Sequence, residues 1–414
     1  MPASPRTARA DAGVVELVRI LRRADVACTL ELPWGEPPLP FGEAPPRFHL
    51  KVTDERLLRG PLTELTLGRA YVEGDLDVTV EGTLGDPKYA ANAMAVFGIR
   101  DQLRFGMTPR QVLQLGAELA LAAPTRVNAR AVRHHYALDD DFYLTFLDTR
   151  YRFYSQCVFE RDDDTLEIAA GRKLEAMREA LGLQAGMRIL DIGGGWGGLV
   201  EYCSALGVEV TSLTLSEESA AYIRARIAEG GLKGEVIVED LLEHRARERY
   251  DHVVIFGVIE HIPTYGRFCE RVWDALKPGG KLYLDASATK EKYAASPWTR
   301  RYTWRGPHSC LALPDMIEEL IFHGFSVTDV RNDSRHYART MGEWARRLDA
   351  AHDHVARRWG EHIHRMWRVF LWGGAHGFTT DRLQAYTLVA AKGPGRGPRP
   401  GRLRRAGHFA ASLR

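Results

Sequence analysis

Cysteine is scarce and scattered in this chain. Five of 414 residues are cysteine, Cys28, Cys157, Cys203, Cys269 and Cys310. No CxxC pair occurs, so neither a zinc ribbon nor a disulfide framework is indicated. No stretch approaches the ~20 uninterrupted apolar residues that a membrane span requires. The opening MPASPRTARADAG has no apolar core of the kind a signal peptide carries. Charge of one sign is not in excess: 56 basic against 54 acidic residues leave +2, which excludes a general nucleic-acid signature. His-rich spots such as His362-Ile363-His364 show no further ligands of the kind a metal needs. What is there is ordinary for a soluble globular protein, 45% hydrophobic and 27% charged. The length allows two or three domains. The expectation is a reduced, cytoplasmic enzyme with no metal and no nucleic-acid partner.

Organisation changes along the chain. Residues 1–125 read as a separate small α+β unit. Helical spacing is visible in Val14-Val15-Glu16-Leu17-Val18-Arg19-Ile20-Leu21. The Pro-rich stretch Pro33 to Pro46 is expected to be irregular, because proline removes donors and fixes φ. Phe48-His49-Leu50-Lys51-Val52 alternates as a strand does. A second strand-like segment is expected to end in Gly68 to Val78, and residues 90–122 read as helical. Pro124 is the expected boundary. From 126 to 392 short apolar strands recur at Arg188–Ile192, Val208–Leu213, Glu235–Val238, Val253–Phe256 and Lys281–Asp285, with helical stretches between. That alternation implies parallel pairing with helices on both faces. Residues 393–414 hold six arginines and no acid. This tail is expected to be disordered, with attraction to an anionic membrane surface as the alternative.

Asp191-Ile192-Gly193-Gly194-Gly195-Trp196-Gly197-Gly198 follows the first of these strands and opens a helix. Glycines suit a backbone that must turn tightly and approach a ligand with no Cβ in the way. The loop has the G-x-G-x-G form, not the dinucleotide G-x-G-x-x-G. The second strand runs into Thr214-Leu215-Ser216, and Asp240 follows the third, where an adenine amino group could be met. Lys277-Pro278-Gly279-Gly280 stands before the fifth strand. This set resembles class I S-adenosylmethionine-dependent methyltransferases. The fold it implies is a Rossmann-like, mostly parallel sheet in an α/β arrangement.

Further segments are similar to one branch. They are His134-His135-Tyr136-Ala137-Leu138-Asp139-Asp140-Asp141-Phe142-Tyr143, Tyr154-Ser155-Gln156-Cys157-Val158-Phe159, Gly257-Val258-Ile259-Glu260-His261-Ile262, and His336-Tyr337-Ala338-Arg339-Thr340-Met341 with Trp344 behind. They resemble the cyclopropane-fatty-acyl-phospholipid synthase family, which includes the mycolic acid cyclopropane synthases. Gly68 to Asp75 is similar to the small N-terminal lipid-binding domain of its phospholipid-acting members. Phe378 and Gln384 fit the family's closing helix and strand. The resemblance implies alkyl transfer from S-adenosylmethionine to the double bond of an unsaturated acyl chain of a lipid. A carbocation on the chain then yields a cyclopropane or a methyl- or methylene-branched product. It also implies a cytoplasmic protein peripherally associated with membrane, a homodimer, and a reductase partner if the product is methyl-branched. The alternative is a C-, O- or N-methyltransferase for a small apolar metabolite. A non-catalytic lipid-binding protein is the third reading.

The resemblance assigns roles to positions. Gly193, Gly195, Trp196, Gly197, Asp191, Thr214, Leu215, Ser219, Asp240 and Leu241, with Tyr154 and Ser155, are expected to hold the cofactor. Cys157, Glu260, Tyr337 and His135 are expected at the chemistry. Tyr136, Phe142, Tyr154, Tyr302, Trp304 and Tyr337 are candidate aromatic faces for the cation, with plain core packing as the rival for each. In the family a bound bicarbonate removes the proton, held by a Cys, a Glu, a His and a Tyr. Cys157, Glu260 and Tyr337 stand at three of those places, and Asp285 replaces the His. A carboxylate beside bicarbonate is repulsive. Either Asp285 is itself the base, or the site holds water or another anion. The expectation is a weakened or lost bicarbonate site. Ser219 in place of the usual Gln, and Ala137 in place of the usual Asp, are further departures.

Overall fold

The computed structural model describes residues 8–103, 113, 138–262, 264–304 and 308–394. The boundary at Pro124, most of the helical reading beyond residue 103, His135, Tyr136, Ala137 and nearly all of the basic tail lie outside them.

The N-terminal residues build their own core. In the helix Ala8–Ala24, Leu17, Ile20 and Leu21 recur at helical spacing and are buried. They cover a four-stranded sheet of β1 (Cys28–Glu31), β2 (Leu39–Phe41), β3 (Phe48–Val52) and β4 (Leu76–Val80), in the order β2-β1-β3-β4. The alternation read in β3 holds, with Phe48, Leu50 and Val52 inward. Two readings need correction. The Pro-rich stretch is not wholly irregular, because Leu39–Phe41 pairs antiparallel with β1. A short edge strand tolerates Pro40, since an edge residue can spare its ladder donor. The segment before Val78 is a helix, Glu64–Glu73, and only then a strand. Thr63 and Thr66 cap each other at its start, and Gly74, at φ +86°, ends it.

The second sheet has seven strands in the order β10-β11-β9-β8-β5-β6-β7. They are β5 (Arg188–Ile192), β6 (Glu209–Thr214), β7 (Gly234–Val238), β8 (Tyr250–Phe256), β9 (Leu276–Ala288), β10 (Phe325–Asn332) and β11 (Gln384–Lys392). β5 to β9 pair in parallel, while β11 runs antiparallel between β9 and β10. The five strands read from sequence are all present, each within a few residues. β9 starts earlier than expected, so Lys277-Pro278-Gly279-Gly280 lies inside it. One buried cluster lies under the helices Leu166–Leu181, Ser334–Ala350 and Glu361–Thr379, and another under Tyr265–Ala275 and Leu313–Phe322. Helices thus cover both faces, as the α/β reading required. Among the described residues no helix is long and apolar enough to cross a membrane.

A polar seam joins the two units. Half-buried Arg368 donates to Tyr71 Oη (2.9 Å) and to Asp349 Oδ1 (2.9 Å), and Tyr89 donates to Asp349 Oδ2 (2.8 Å). Arg365 pairs with Asp77 at 2.7 Å. The backbone at Gly68 also lies close against a side chain of the other unit: a Cβ there would strike the Trp298 ring at 2.4 Å.

Candidate functional site

The glycine turn sits at the C-terminal ends of β5 and β6, where open α/β sheets bind ligands. Gly193 N donates to Leu213 O at 2.8 Å, locking the turn to β6. Gly193 has φ +112°, and a Cβ there would strike Val258 Cγ2 at 2.4 Å. Gly195, at φ +54°, is different: a Cβ there would meet nothing within 4 Å among the described residues. The turn is therefore packed on one side and open on the other. Ser219 Oγ donates to Gly195 O at 2.6 Å, and Trp196 Nε1 donates to Asp140 Oδ1 at 2.8 Å. Asp191 is buried and accepts from Ser212 Oγ at 2.8 Å; burial pushes its carboxyl up to about 7. Thr214 Oγ1 accepts from Ser216 N, and Leu215 follows, half-buried. Asp240 accepts from Leu242 N at 2.8 Å, next to buried Leu241. The expected cofactor residues thus border one edge of the sheet, and an open glycine cradle flanked by carboxylates fits an adenosyl ligand.

A cavity of about 910 Å³ opens at Tyr154 and Gly257, where β8 ends. Its inner end is walled by Tyr154, Gly257, Glu260, His261, Ser287, Cys310, Tyr337, Met341 and Trp344. It passes Trp298, Trp304, Phe370 and Trp372, then runs between Leu50, Tyr71, Val78, Ala93 and Val96 of the N-terminal unit. The cavity therefore belongs to both units. Tyr154 is held by what precedes it: Asp148 accepts from Tyr151 N and Phe153 N at 2.6 and 2.8 Å, fixing the approach. Its ring lies 5.2 Å from Trp344, and Tyr337 stacks on Phe378 at 4.5 Å.

Glu260 is the polar centre of that inner end. It lies in a single helical turn, Ile259–His261, directly after β8. Oε1 accepts from Ser287 N (2.8 Å) and Ser287 Oγ (2.7 Å). Oε2 is buried and has no hydrogen-bond partner among the described residues. Burial pushes the carboxyl up to about 7, against the pull of the Ser287 donors. Cys310 Sγ stands 3.6 Å from Ser287 Oγ, its thiol pushed up to about 12 by burial. His261 packs its ring 4.9 Å from Trp304, and burial lowers its pKa to about 4.

Other expected residues fall elsewhere. The Asp285 side chain pairs with buried Lys173 at 2.7 Å and is not part of the cavity wall. Burial drives its carboxyl upward while Lys173 pulls it back, the net direction being up. Lys173 also donates to Ser155 Oγ. Cys157 is fully buried, its N held by Thr340 Oγ1 at 3.0 Å; burial pushes its thiol well above its ordinary range. It too lies off the cavity wall. Of the aromatic candidates, Tyr154, Trp304 and Tyr337 line the cavity, Phe142 is core, and Tyr302 stacks on Trp298 at 5.2 Å. Ser287, Cys310 and Lys173 had not been singled out. Ser287 was within reach of a period-two reading, since it shares a face of β9 with Asp285. Cys310 arrives through a lone bridge between Ala288 and Leu311, which no local pattern announces.

Residues 124–388 match the family model for mycolic acid cyclopropane synthetase. The chain belongs to this family. It is similar to a probable fatty acid methyltransferase of Pseudomonas putida, 29% identical over 366 residues, covering 84% of this chain and 88% of the relative. It is also similar to the cyclopropane-fatty-acyl-phospholipid synthase of Escherichia coli K12, 30% identical over 274 residues, covering 65% and 70%. Among solved structures, the cyclopropane synthase MmaA2 from Mycobacterium tuberculosis superposes with a TM-score of 0.59 at 28% identity, covering 64% of this chain and 98% of that one. The mycolic acid cyclopropane synthetase family member described here is an S-adenosylmethionine-dependent methyltransferase.

Proposed function

We propose that this enzyme alkylates the double bond of an unsaturated fatty acyl chain of a lipid, and that Glu260 receives the proton lost from the resulting cation. The observation that carries this reading is Glu260, in the wall of a long, largely apolar cavity, with a buried Oε2 that has no hydrogen-bond partner among the described residues. S-adenosylmethionine, when bound at the glycine turn, Thr214 and Asp240, supplies an electrophilic methyl group. An alkene needs no base for its attack, only contact and alignment, so the cavity wall contributes by positioning. The faces of Tyr154, Trp344 and Tyr337 meet positive charge on the chain, each worth ~2 kcal/mol when desolvated. The apolar lining keeps out water that would trap the cation as an alcohol. With its carboxyl near 7, Glu260 is poised to accept a proton at neutral pH.

The residues present do not fit a bicarbonate. Asp285, where the family places its His, is spent on Lys173. Both donors of Ser287 are spent on Glu260. Proton loss from the new methyl group closes a cyclopropane, and loss from a neighbouring carbon leaves a branched chain for a reductase partner to saturate. The N-terminal unit, which walls the far half of the cavity, is the part we assign to lipid capture at a peripheral membrane surface. The test is turnover of S-adenosylmethionine on phospholipid vesicles in bicarbonate-free buffer. Mono-unsaturated acyl chains should gain the mass of one methylene group and saturated ones should not, with high-field proton signals marking a ring. Cofactor binding by calorimetry without any such gain overturns the reading.

A further inference from the structure

We propose that His352, Glu361 and His364 form a binding site for a divalent transition cation of the zinc type. Each offers one ligand atom, and those atoms all lie within 4.8 Å of one another. Sequence reading had found no further ligands beside His362 and His364. The fold supplies them, because a break at Gly360 folds the helix His352–Trp359 back against Glu361–Thr379. Glu361 and His364 are three apart and share a helix face. His352, the first residue of the preceding helix, comes onto that face, its Nε2 already 2.9 Å from Glu361 Oε2.

Two further observations point to a ligand. His364 is 5% exposed, and neither ring nitrogen has a hydrogen-bond partner among the described residues. The nearest carboxylate oxygen, Asp349 Oδ1, is 3.7 Å away and already holds Arg368. A buried imidazole normally satisfies at least one nitrogen, and a cation would do so here. The other observation concerns His352, whose Nδ1 is 3.0 Å from Asp353 Oδ1. A carboxylate on the far nitrogen is the arrangement that orients metal-bound histidines. Two imidazoles and one carboxylate suit zinc and leave a position for water. The cation would fasten the start of the helix that carries Arg368, Trp372 and Phe378 into the cavity wall. The site is separate from the Glu260 centre, so its failure would leave the proposed reaction untouched.

The test uses untagged full-length protein stripped with chelator. Zinc is titrated by calorimetry and cobalt by visible absorption, with melting followed in parallel. One zinc per chain, a cobalt spectrum of low coordination number and a melting temperature raised by several degrees are expected. His352→Ala and Glu361→Gln, both at half-exposed positions, should each weaken binding at least tenfold, while His362→Ala should not. No binding to the wild-type chain, binding unchanged in both variants, or binding lost in His362→Ala would overturn the proposal.

Discussion

Replacing Glu260 with Gln tests its burial and its chemistry together. The amide keeps the side chain's shape, and its oxygen can still accept from Ser287 N and Ser287 Oγ. What it removes is a charge that the site ionises reluctantly. The folded carboxyl titrates near 7 against an ordinary 4.5. Between those values the native state holds a proton that the unfolded chain has released. Wild-type stability therefore falls as pH rises through that window, and is flat on either side of it. At ~1.4 kcal/mol per pH unit the loss is about 3 kcal/mol. Glu260→Gln is spared that loss. Urea unfolding should show the variant gaining about 3 kcal/mol over wild type between pH 4.5 and pH 8. Turnover should meanwhile drop by about 10²–10⁴, the usual worth of a positioned base. Wild-type activity should rise with pH through about 7 as the carboxylate forms. A stability difference that ignores pH, or a variant keeping more than a tenth of its turnover, would refute the assignment.

Two other outcomes follow from the site. Gly195→Ala places a methyl group where no atom of the described residues lies within 4 Å, at a φ of +54° that strains an alanine; its melting temperature should fall by only a few degrees, while calorimetry should show at least tenfold weaker binding of S-adenosylmethionine, and unchanged affinity would remove the turn from the cofactor site. Lys173→Met leaves Asp285 buried without its partner at 2.7 Å, which should cost about 3–5 kcal/mol in urea unfolding; Lys173→Met with Asp285→Asn should recover most of that loss, and strictly additive effects would show that the pair is not coupled.

Five strands of the larger sheet, β5 to β9, were legible because each carries a short apolar run, and parallel strands buried on both faces leave that mark; β10 was not, because it is largely polar and exposed. The glycine turn was legible for a similar reason, since few backbones need so many residues without a Cβ. Glu260 could be read because it follows such a strand. The helix Glu64–Glu73 was misread because Tyr71-Val72 and Leu76 mimic alternation across its end, whereas its start is marked only by a Thr63–Thr66 box. Asp285 could be seen as a departure, but not as a partner of Lys173. The two are 112 positions apart, and only the packing of the helix Leu166–Leu181 on β9 joins them. The cluster at His352, Glu361 and His364 was invisible for the same reason, because it depends on a chain reversal at Gly360.

The cavity is walled by two bodies that each have a core of their own. Whatever fills it becomes a third component of their joint, adding apolar contact to a seam of hydrogen bonds, ion pairs and ring contacts such as Tyr89 on Trp372. Occupancy should then be felt as rigidity: a loaded molecule resists separation of its halves, and an empty one yields first along the line of Arg368 and Tyr71.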